Sequence, residues 1–309
     1  MEAARRRVDA RQYPAGAIER VARAVSSYLR VPAQMITVGH GSDQILDLLL
    51  AHLVERGDTV LAPDPAFSLF IDRCALHGLE TVRVPYGPDM TVSVDDMLDA
   101  SARADMIYID SPNNPTGHQI RRADLRRLAE SFGGIIILDE AYAEFGGYSA
   151  YRMPKKYPNV VVVRTLSKSF GMAGLRVGYM VADRAISDVF GRVLQYPYPI
   201  SSVSTEAAVL ALERAGEAAA TWDVVREERS RMISTLRGYG AFRVFDSDAN
   251  FVLFDAGRAC RRIHKALAEQ GIAVRLLGRV GGASGCLRVS VGTKSMNSRF
   301  LLAVRDLLK

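Results

Sequence analysis

Residues 164–179 read Arg-Thr-Leu-Ser-Lys-Ser-Phe-Gly-Met-Ala-Gly-Leu-Arg-Val-Gly-Tyr. Four valines, residues 160–163, come directly before them, so a buried strand is predicted to end in a hydroxyl-rich turn with Lys168 at its tip. The chain has six lysines and 34 arginines, and this lysine lies among small hydroxyl residues and glycines. A partly desolvated lysine near a second cation such as Arg176 loses its proton more readily and can form a Schiff base with an aldehyde. From this pattern alone, an ordinary surface lysine after a strand is the commoner interpretation.

Length and composition predict a soluble globular protein. The 309 residues are enough for one large and one smaller domain, and 49% are hydrophobic while 24% are charged. No run reaches the ~18 apolar residues of a membrane span. The start of the chain, Met1 to Arg7, lacks the apolar region of a signal peptide. Three cysteines without Cys-x-x-Cys spacing suggest neither a disulfide framework nor a metal site, so a cytoplasmic location is expected.

The positive charge raises nucleic acid as a partner. The net charge is +6, and residues 1–30 hold seven arginines against three acids. No aromatic residues interleave with these arginines, as a surface that stacks on bases would require. We therefore expect an exposed arm or a solvated helix, with apolar residues at helical spacing from Ala17 to Leu29, and no nucleic-acid partner.

A glycine turn between a strand and a helix is predicted at residues 36–54. Ile36 to Gly39 form the strand, and Gly41-Ser42-Asp43 lead into a helix from Ile45 that Ser42 or Asp43 can cap. The amides at such a helix start bind anions. A dinucleotide-binding Gly-x-Gly-x-x-Gly loop would need glycine where Gln44 stands, so a dehydrogenase is disfavoured.

Three more strands are predicted to end in polar turns. The first runs into the proline turn before Phe67, and the second precedes Ser-Pro-Asn-Asn-Pro-Thr-Gly at residues 111–117, where Pro115 fixes the direction of Asn114. The third is the apolar run before Asp139, a charge that is costly to bury without a partner. Strands alternating with helices predict a mostly parallel α/β sheet that binds ligands at the carboxyl ends of its strands.

The C-terminal part is predicted to be a smaller α+β unit. After a break at residues 195–201, helices are expected at 205–220 and 222–236, followed by strands at 242–245, 250–254, 273–276 and 286–291 and a helix at 258–270. Arg288 and Arg275 both lie in apolar strands and therefore need an anionic partner, which can be a structural acid or a ligand.

Four strings together resemble the fold-type-I aminotransferases that use pyridoxal 5'-phosphate, most closely the histidinol-phosphate aminotransferase family. They are residues 165–178, Pro-Asn-Asn-Pro-Thr-Gly at 112–117, Asp-Glu-Ala-Tyr at 139–142 and Tyr-Pro at 13–14. The resemblance implies the fold-type-I architecture and a homodimer. It divides the chain into an N-terminal arm and helix at the dimer contact (1–30), a large cofactor-binding domain (31–220) and a small domain (221–309).

The resemblance also assigns roles to residues. It makes Lys168 the lysine that holds the cofactor aldehyde, and it places Asp139 on the ring nitrogen. Phe67 and Ala141 lie on the two ring faces, and Asn114 and Tyr142 contact the 3-oxygen. The residues implied at the cofactor phosphate are Gly41, Ser42, Asp43, Thr165, Arg176 and Tyr13 of the neighbouring subunit, with Ser167 as a further cofactor contact. Arg288, Arg275 and Asn114 are implied to bind the substrate, and Arg176 follows Lys168 by eight positions.

The activity implied is transamination, most closely that of histidinol phosphate with 2-oxoglutarate in histidine biosynthesis. An aromatic aminotransferase, a threonine-phosphate decarboxylase and a non-catalytic protein of the same fold are the alternatives. Family members generally carry a further N-terminal segment with an Asn-Glu-Asn-Pro motif, which this sequence lacks. Either a truncated start or a reduced substrate lid is therefore expected.

Overall fold

The structure is a computed structural model that describes residues 8, 9 and 11–308. Residues 1–7 and 10 of the predicted arm lie outside the described residues, and the signal-peptide prediction rests on that first segment. Helix α1 (Ala17–Leu29) follows the predicted periodicity, because Val21, Val25 and Leu29 are buried along one face.

A seven-stranded sheet forms the larger part of the molecule. The strands are β1 (Ile36–His40), β2 (Thr59–Asp64), β3 (Glu80–Pro85), β4 (Met106–Asp110), β5 (Ile135–Asp139), β6 (Val160–Thr165) and β7 (Val177–Val181). Their spatial order is β1-β7-β6-β5-β4-β2-β3, and only β7 runs antiparallel to its neighbours. The prediction of a mostly parallel α/β sheet is confirmed.

The central strands are apolar along their whole length because both faces of the sheet are covered. Ile136 and Leu138 pack into one core, while Ile137 of the same strand packs into the other. The helices that contribute to the first core are α4 (Val94–Ser101) and α5 (Arg122–Ser131). Those of the second are α2 (Gly41–Leu53), α3 (Ser68–His77) and α6 (Arg184–Val189).

A smaller antiparallel sheet follows, with β8 (Arg243–Val244), β9 (Phe251–Asp255), β10 (Arg275–Val280) and β11 (Ala283–Ser290) in the order β10-β11-β9-β8. Helices α9 (Cys260–Glu269) and α10 (Lys294–Asp306) share its core through Ile263, Leu267 and Phe300. The smaller α+β part is therefore present as predicted.

The connection between the two sheets differs from the prediction. The predicted break between two helices lies at residue 221. Instead, helix α7 (Ser202–Glu213) and helix α8 (Ala215–Gly238) meet at Arg214, whose φ of −106° and ψ of 28° end the first helix. The alanines after Arg214 favour helix equally well on either side, so periodicity could not locate the break. The predicted boundary between residues 220 and 221 falls inside α8, and the three-part division stays a proposal.

Candidate active site

One cavity opens at the carboxyl edge of the large sheet, where β11 of the smaller sheet approaches. Its volume is about 230 Å³, a little below the ~300–1,000 Å³ of typical small-molecule sites. Twelve residues singled out in the sequence line it: Ser42, Asp43, Phe67, Asn114, Asp139, Ala141, Tyr142, Thr165, Ser167, Lys168, Arg176 and Arg288. Asp110, Pro112 and Ala173 also line it, and sequence reasoning missed them.

The β1–α2 turn forms one wall. Helix α2 begins at Gly41, so Ser42 and Asp43 belong to its first turn, and the prediction that either caps a helix starting at Ile45 is wrong. Gly41 has φ +72°, and its amide donates to the carbonyl of Arg176 at 3.0 Å. A Cβ on Gly178 would lie 2.4 Å from Gly41 C and Ser42 N. Glycine at 178 thus lets β7 approach the start of the helix, where unpaired amides attract anions.

Hydroxyl and guanidinium donors stand beside that turn. The Arg176 guanidinium bonds Asp43 Oδ2 at 2.7 Å and Ser167 Oγ at 3.4 Å. Ser167 Oγ in turn receives a hydrogen bond from Thr165 Oγ1 at 2.9 Å. Because Arg176 and Asp43 both line the cavity, a phosphate bound there would compete with this carboxylate for the guanidinium.

Asp139 ends β5 as a buried carboxylate in the cavity wall. It accepts hydrogen bonds from Tyr108 OH at 3.1 Å and Ala141 N at 3.0 Å, and no cation of the described chain pairs with it. Burial, and then the negative charge of Asp110, raise the pKa of Asp139 to about 7. A cationic partner supplied by a ligand would favour the ionised form of this carboxyl.

Asp110 is a second buried acid that sequence reasoning missed. It is the Cα partner of Asp139 in the neighbouring strand β4, and burial raises its pKa to about 6. The available signal was an acid ending an apolar strand, the same pattern that marks Asp139. Parallel strands place both acids at one level of the same edge.

Lys168 lies in the turn after β6, as the sequence predicts. Its Nζ is 5.8 Å from the ring centroid of Tyr142, and its side chain is exposed toward the cavity. The expected partial desolvation by the chain's own residues is therefore not seen. Burial raises the pKa of Tyr142 to about 12, so the phenol beside Lys168 keeps its proton at neutral pH.

Arg288 reaches the cavity from β11. Its guanidinium donates to Asn114 Oδ1 and lies 4.8 Å from the ring centroid of Phe251. Arg275 is the Cα partner of Arg288, but it starts the edge strand β10, is exposed and does not line the cavity. Its place in an apolar strand therefore does not bury it, because edge strands leave one side open to water.

Tyr13 lies away from the cavity of its own chain. It is 79% exposed and stacks on Tyr198 with 4.9 Å between ring centroids. Among residues 8, 9 and 11–308, no group of three or more His, Cys, Asp or Glu side chains is arranged to hold a metal ion. No helix in that same range is both long and apolar enough to cross a membrane.

The cavity residues fit pyridoxal phosphate. The amides at the start of α2, two hydroxyls and Arg176 form a phosphate-binding set, and Lys168 offers a primary amine to an aldehyde. The uncompensated carboxylate of Asp139 suits a protonated ring nitrogen. Phe67 supplies an aromatic face in the same cavity.

Known proteins share this architecture over nearly the whole chain. The family model described as aminotransferase class I and II matches residues 3–304. A histidinol-phosphate aminotransferase of Caldanaerobacter subterraneus subsp. tengcongensis is 35% identical over 298 residues, covering 96% of this chain and 84% of that protein. One of Symbiobacterium thermophilum is 34% identical over 302 residues, covering 96% and 82%.

A solved structure agrees in three dimensions. Histidinol-phosphate aminotransferase from Sinorhizobium meliloti in complex with pyridoxal-5'-phosphate superposes with a TM-score of 0.91 at 25% identity, covering 99% of this chain and 86% of that one. The family match, the cofactor in this neighbour and the donor set of the cavity agree with one another. The chain belongs to the aminotransferase class I and II family and is an aminotransferase that depends on pyridoxal 5'-phosphate.

Proposed function

We propose that the chain transfers the amino group of histidinol phosphate to 2-oxoglutarate, which yields imidazole acetol phosphate and glutamate in histidine biosynthesis. The relatives that are 33–35% identical over most of the chain carry the name of this activity. The structural observation that carries the proposal is Arg288, a cation in the cavity wall. Among the described residues it makes no ion pair, and its side-chain hydrogen bond goes to the neutral amide of Asn114.

An arginine in this state can receive an anionic substrate. Burial, and to a lesser degree the nearby Arg275, lower the pKa of Arg288, but a guanidinium stays protonated at neutral pH. Its planar fork binds carboxylate and phosphate oxygens equally well. Both proposed substrates carry such groups, so Arg288 would bind each in turn, and Arg275 would add positive potential at the rim.

The other cavity residues, together with Gly41 at the start of α2, would hold the cofactor. Gly41, Ser42, Asp43, Thr165, Ser167 and Arg176 would surround its phosphate, together with Tyr13 of a second subunit. Asp139 would pair with the ring nitrogen, Asn114 and Tyr142 would contact the 3-oxygen, and Phe67 and Ala141 would lie on the ring faces.

The bound cofactor supplies an aldehyde and a ring that accepts electrons from the carbon bearing the amine. Lys168 would hold the aldehyde carbon through Nζ until the substrate amine replaces it. The released Nζ would then move the proton from the substrate carbon to the carbon of the former aldehyde. Asp139 would keep the ring nitrogen protonated, and Arg288 would orient the substrate so that its C–H bond faces Lys168.

The test is glutamate formation from histidinol phosphate and 2-oxoglutarate, with phosphothreonine and aromatic amino acids as competing substrates. We expect glutamate from histidinol phosphate, and Lys168→Ala should lower turnover at least ~10²–10⁴-fold, the scale of positioned acid–base catalysis. Lys265→Ala, on the exposed face of α9, is the control and should be unchanged. Release of carbon dioxide from phosphothreonine would identify a decarboxylase instead, and faster reaction of an aromatic amino acid would identify an aromatic aminotransferase instead.

We also propose a homodimer and a cytoplasmic location. The exposed apolar side chains Tyr13, Val193, Tyr196 and Tyr198 offer a surface that a second copy would cover. Cys74, Cys260 and Cys286 are buried and free, which suits a reducing compartment.

A further inference from the structure

Asp110 is a buried carboxylate that the roles above leave unused. It is 4% exposed, it ends β4 beside Asp139, and it lines the cavity. No cation among the described residues pairs with it at ion-pair distance. A buried charge of this kind is costly unless its hydrogen bonds do specific work in the fold or the site.

Both oxygens of Asp110 accept hydrogen bonds from the loop that follows β4. Asn113 Nδ2 donates to Oδ1 at 2.8 Å, and the backbone amide of Asn114 donates to Oδ2 at 2.9 Å. Asn113 is fixed further, because its Nδ2 also donates to Pro65 O at 3.0 Å and its Oδ1 accepts from Thr116 Oγ1 at 2.7 Å. Asp110 therefore determines where the backbone of Asn114 lies.

Asn114 connects this loop to the smaller sheet. Its Oδ1 accepts from the guanidinium of Arg288, whose strand belongs to that sheet. The same loop touches the smaller part again, since Asp248 N donates to Gly117 O at 2.7 Å and a Cβ on Gly117 would lie 2.4 Å from Ser247 Oγ. A shift of the loop would move Asn114 relative to Arg288.

We propose that Asp110 is a positioning residue, whose ionised carboxylate holds Asn114 and, through Asn114, sets the guanidinium of Arg288 to receive the anionic group of the substrate. The identity of the substrate rests on the proposed function, but the placing of Arg288 does not.

The charge on Asp110 is part of this role. Both oxygens of Asp110 accept from N–H donors. A protonated carboxyl or an amide at this position carries its own hydrogen, which would oppose one of these two donors. The groups that face Asp110 are Asp139 from β5, Tyr108 from its own strand, and the tyrosines 86 and 142. Burial raises the pKa of Asp110 to about 6 against the effect of its two bonds, so it is ionised at pH 8 and mostly protonated at pH 5.5.

Sulfate is a suitable probe, because it resembles a phosphate ester and keeps its charge across this pH range. We call the start of α2 with Thr165, Ser167 and Arg176 the phosphate corner. In protein loaded with pyridoxal phosphate, the phosphate of the cofactor would fill this corner, so calorimetry of sulfate binding should report on Arg288. Arg288→Gln should abolish the heat of sulfate binding, which would establish that sulfate binds at Arg288. The variant is Asp110→Asn, and the matched control is Asp124→Asn, an equally buried acid on α5 that bonds Arg121 and does not line the cavity.

At pH 8 we expect Asp110→Asn to weaken sulfate binding about 10-fold, the scale of losing a hydrogen bond to a charged group, while Asp124→Asn leaves it unchanged. In the unsubstituted protein the affinity should fall about 3-fold between pH 8 and 5.5, because about a quarter of the Asp110 carboxyl is still ionised at pH 5.5, and in Asp110→Asn it should hardly change. Equal affinity in both variants at pH 8, or a flat pH dependence in the unsubstituted protein, would overturn the proposal.

The pH arm is repeated in Asp139→Asn, because Asp139, with its pKa raised to about 7, titrates in the same window. A pH dependence that persists in Asp139→Asn belongs to Asp110, so the test remains decisive if Asp110→Asn does not fold. Binding is measured without turnover. Loss of the proposed transamination together with the expected sulfate differences would reject the substrate and keep the role of Asp110. Transamination of histidinol phosphate without the expected differences in sulfate binding would keep the substrate and reject the role of Asp110.

Discussion

At the scale of single residues, the site is organised by charges that the fold leaves without partners. Asp139 is buried in the cavity wall with hydrogen-bond donors but no cation, and Arg288 is a half-buried cation whose described contacts include no carboxylate. Burying either group costs free energy that a neutral side chain would not. A ligand that brings a cation to the first and an anion to the second offsets both costs, and an amino-acid substrate with pyridoxal phosphate does so.

Asp139→Asn tests this cost in the cofactor-free protein. The pKa of Asp139 is raised from 3.8 to about 7, so the folded protein holds this proton more tightly than the unfolded chain. Stability from this group is therefore lost as pH rises from about 4 to 7, and the full penalty applies above pH 7. We expect Asp139→Asn to raise the free energy of unfolding by ~1–3 kcal/mol at pH 8 and to have a smaller effect at pH 5.

The measurement is urea unfolding of cofactor-free protein at both pH values, with Asp124→Asn as control. The control loses its bonds to Arg121 and should be destabilised at both. The same Asp139→Asn change should reduce transamination severely, because it removes the carboxylate proposed to keep the ring nitrogen of the cofactor protonated. A lower free energy of unfolding for Asp139→Asn at pH 8 would show that burying the charged carboxylate does not destabilise the protein.

At the scale of elements, the phosphate corner depends on how closely two strands and a helix approach. Helix α2 starts at a glycine with positive φ, and β7 passes directly behind it at Gly178. Strand β7 pairs with β1 and β6 at once, so its position also fixes Thr165 opposite Gly178. Any side chain at residue 178 would push the helix start away from the hydroxyls.

Gly178→Ala should therefore damage cofactor binding as well as stability. Its Cβ would meet backbone atoms at 2.4 Å, and overpacking of this kind costs ~1–3 kcal/mol. We expect the Kd for pyridoxal phosphate, measured by fluorescence titration, to rise at least ~10-fold. Gly238→Ala, at the end of α8 with no atom within 4 Å of the added Cβ, should leave that Kd unchanged. Equal values for the two variants would refute the packing argument.

At the scale of the whole molecule, the cavity lies between the two sheets, and Tyr13 of the same chain is not among its lining residues. Tyr13 is exposed and stacks on Tyr198. Tyr13 is 79% exposed and Tyr198 is 49% exposed, so this stacked pair presents aromatic surface to solvent in the single chain. The proposed homodimer would bury them and bring Tyr13 to the second cavity.

Mixing two inactive variants tests the shared site. Lys168→Ala lacks the amine proposed to hold the cofactor, and Tyr13→Ala lacks the residue proposed to reach the partner's cofactor. In a mixed dimer, one site combines an intact Lys168 with an intact Tyr13 from the other subunit, so activity should return toward a quarter of the unsubstituted level after random exchange. Sedimentation should show a dimer at micromolar concentration. An active monomer, or no recovery after verified exchange, would contradict the proposal.

Much of the fold and of the candidate site was predictable because the relevant signals are local. Valine and isoleucine runs identify strands buried on both faces, and parallel strands of one sheet carry their carboxyl ends to one edge. Asp139 ends such a strand, and Lys168 and Asn114 lie in the turns that follow two others, which is why the structure brings them to one cavity. The resemblance to a family added roles for these residues that spacing alone left open.

What depended on tertiary structure was every property set by contacts between distant segments. The sequence by itself determined the strand ends, the mostly parallel sheet and the residues that meet at its edge, since these follow from periodicity and from turn-forming residues. Only the tertiary structure decided that Asp110 lies beside Asp139, that Arg275 stays exposed on an edge strand, and that Arg288 bonds Asn114. The reason is physical: strand register and the packing of one sheet against another fix burial and charge pairing, and neither is encoded in the spacing of a single segment.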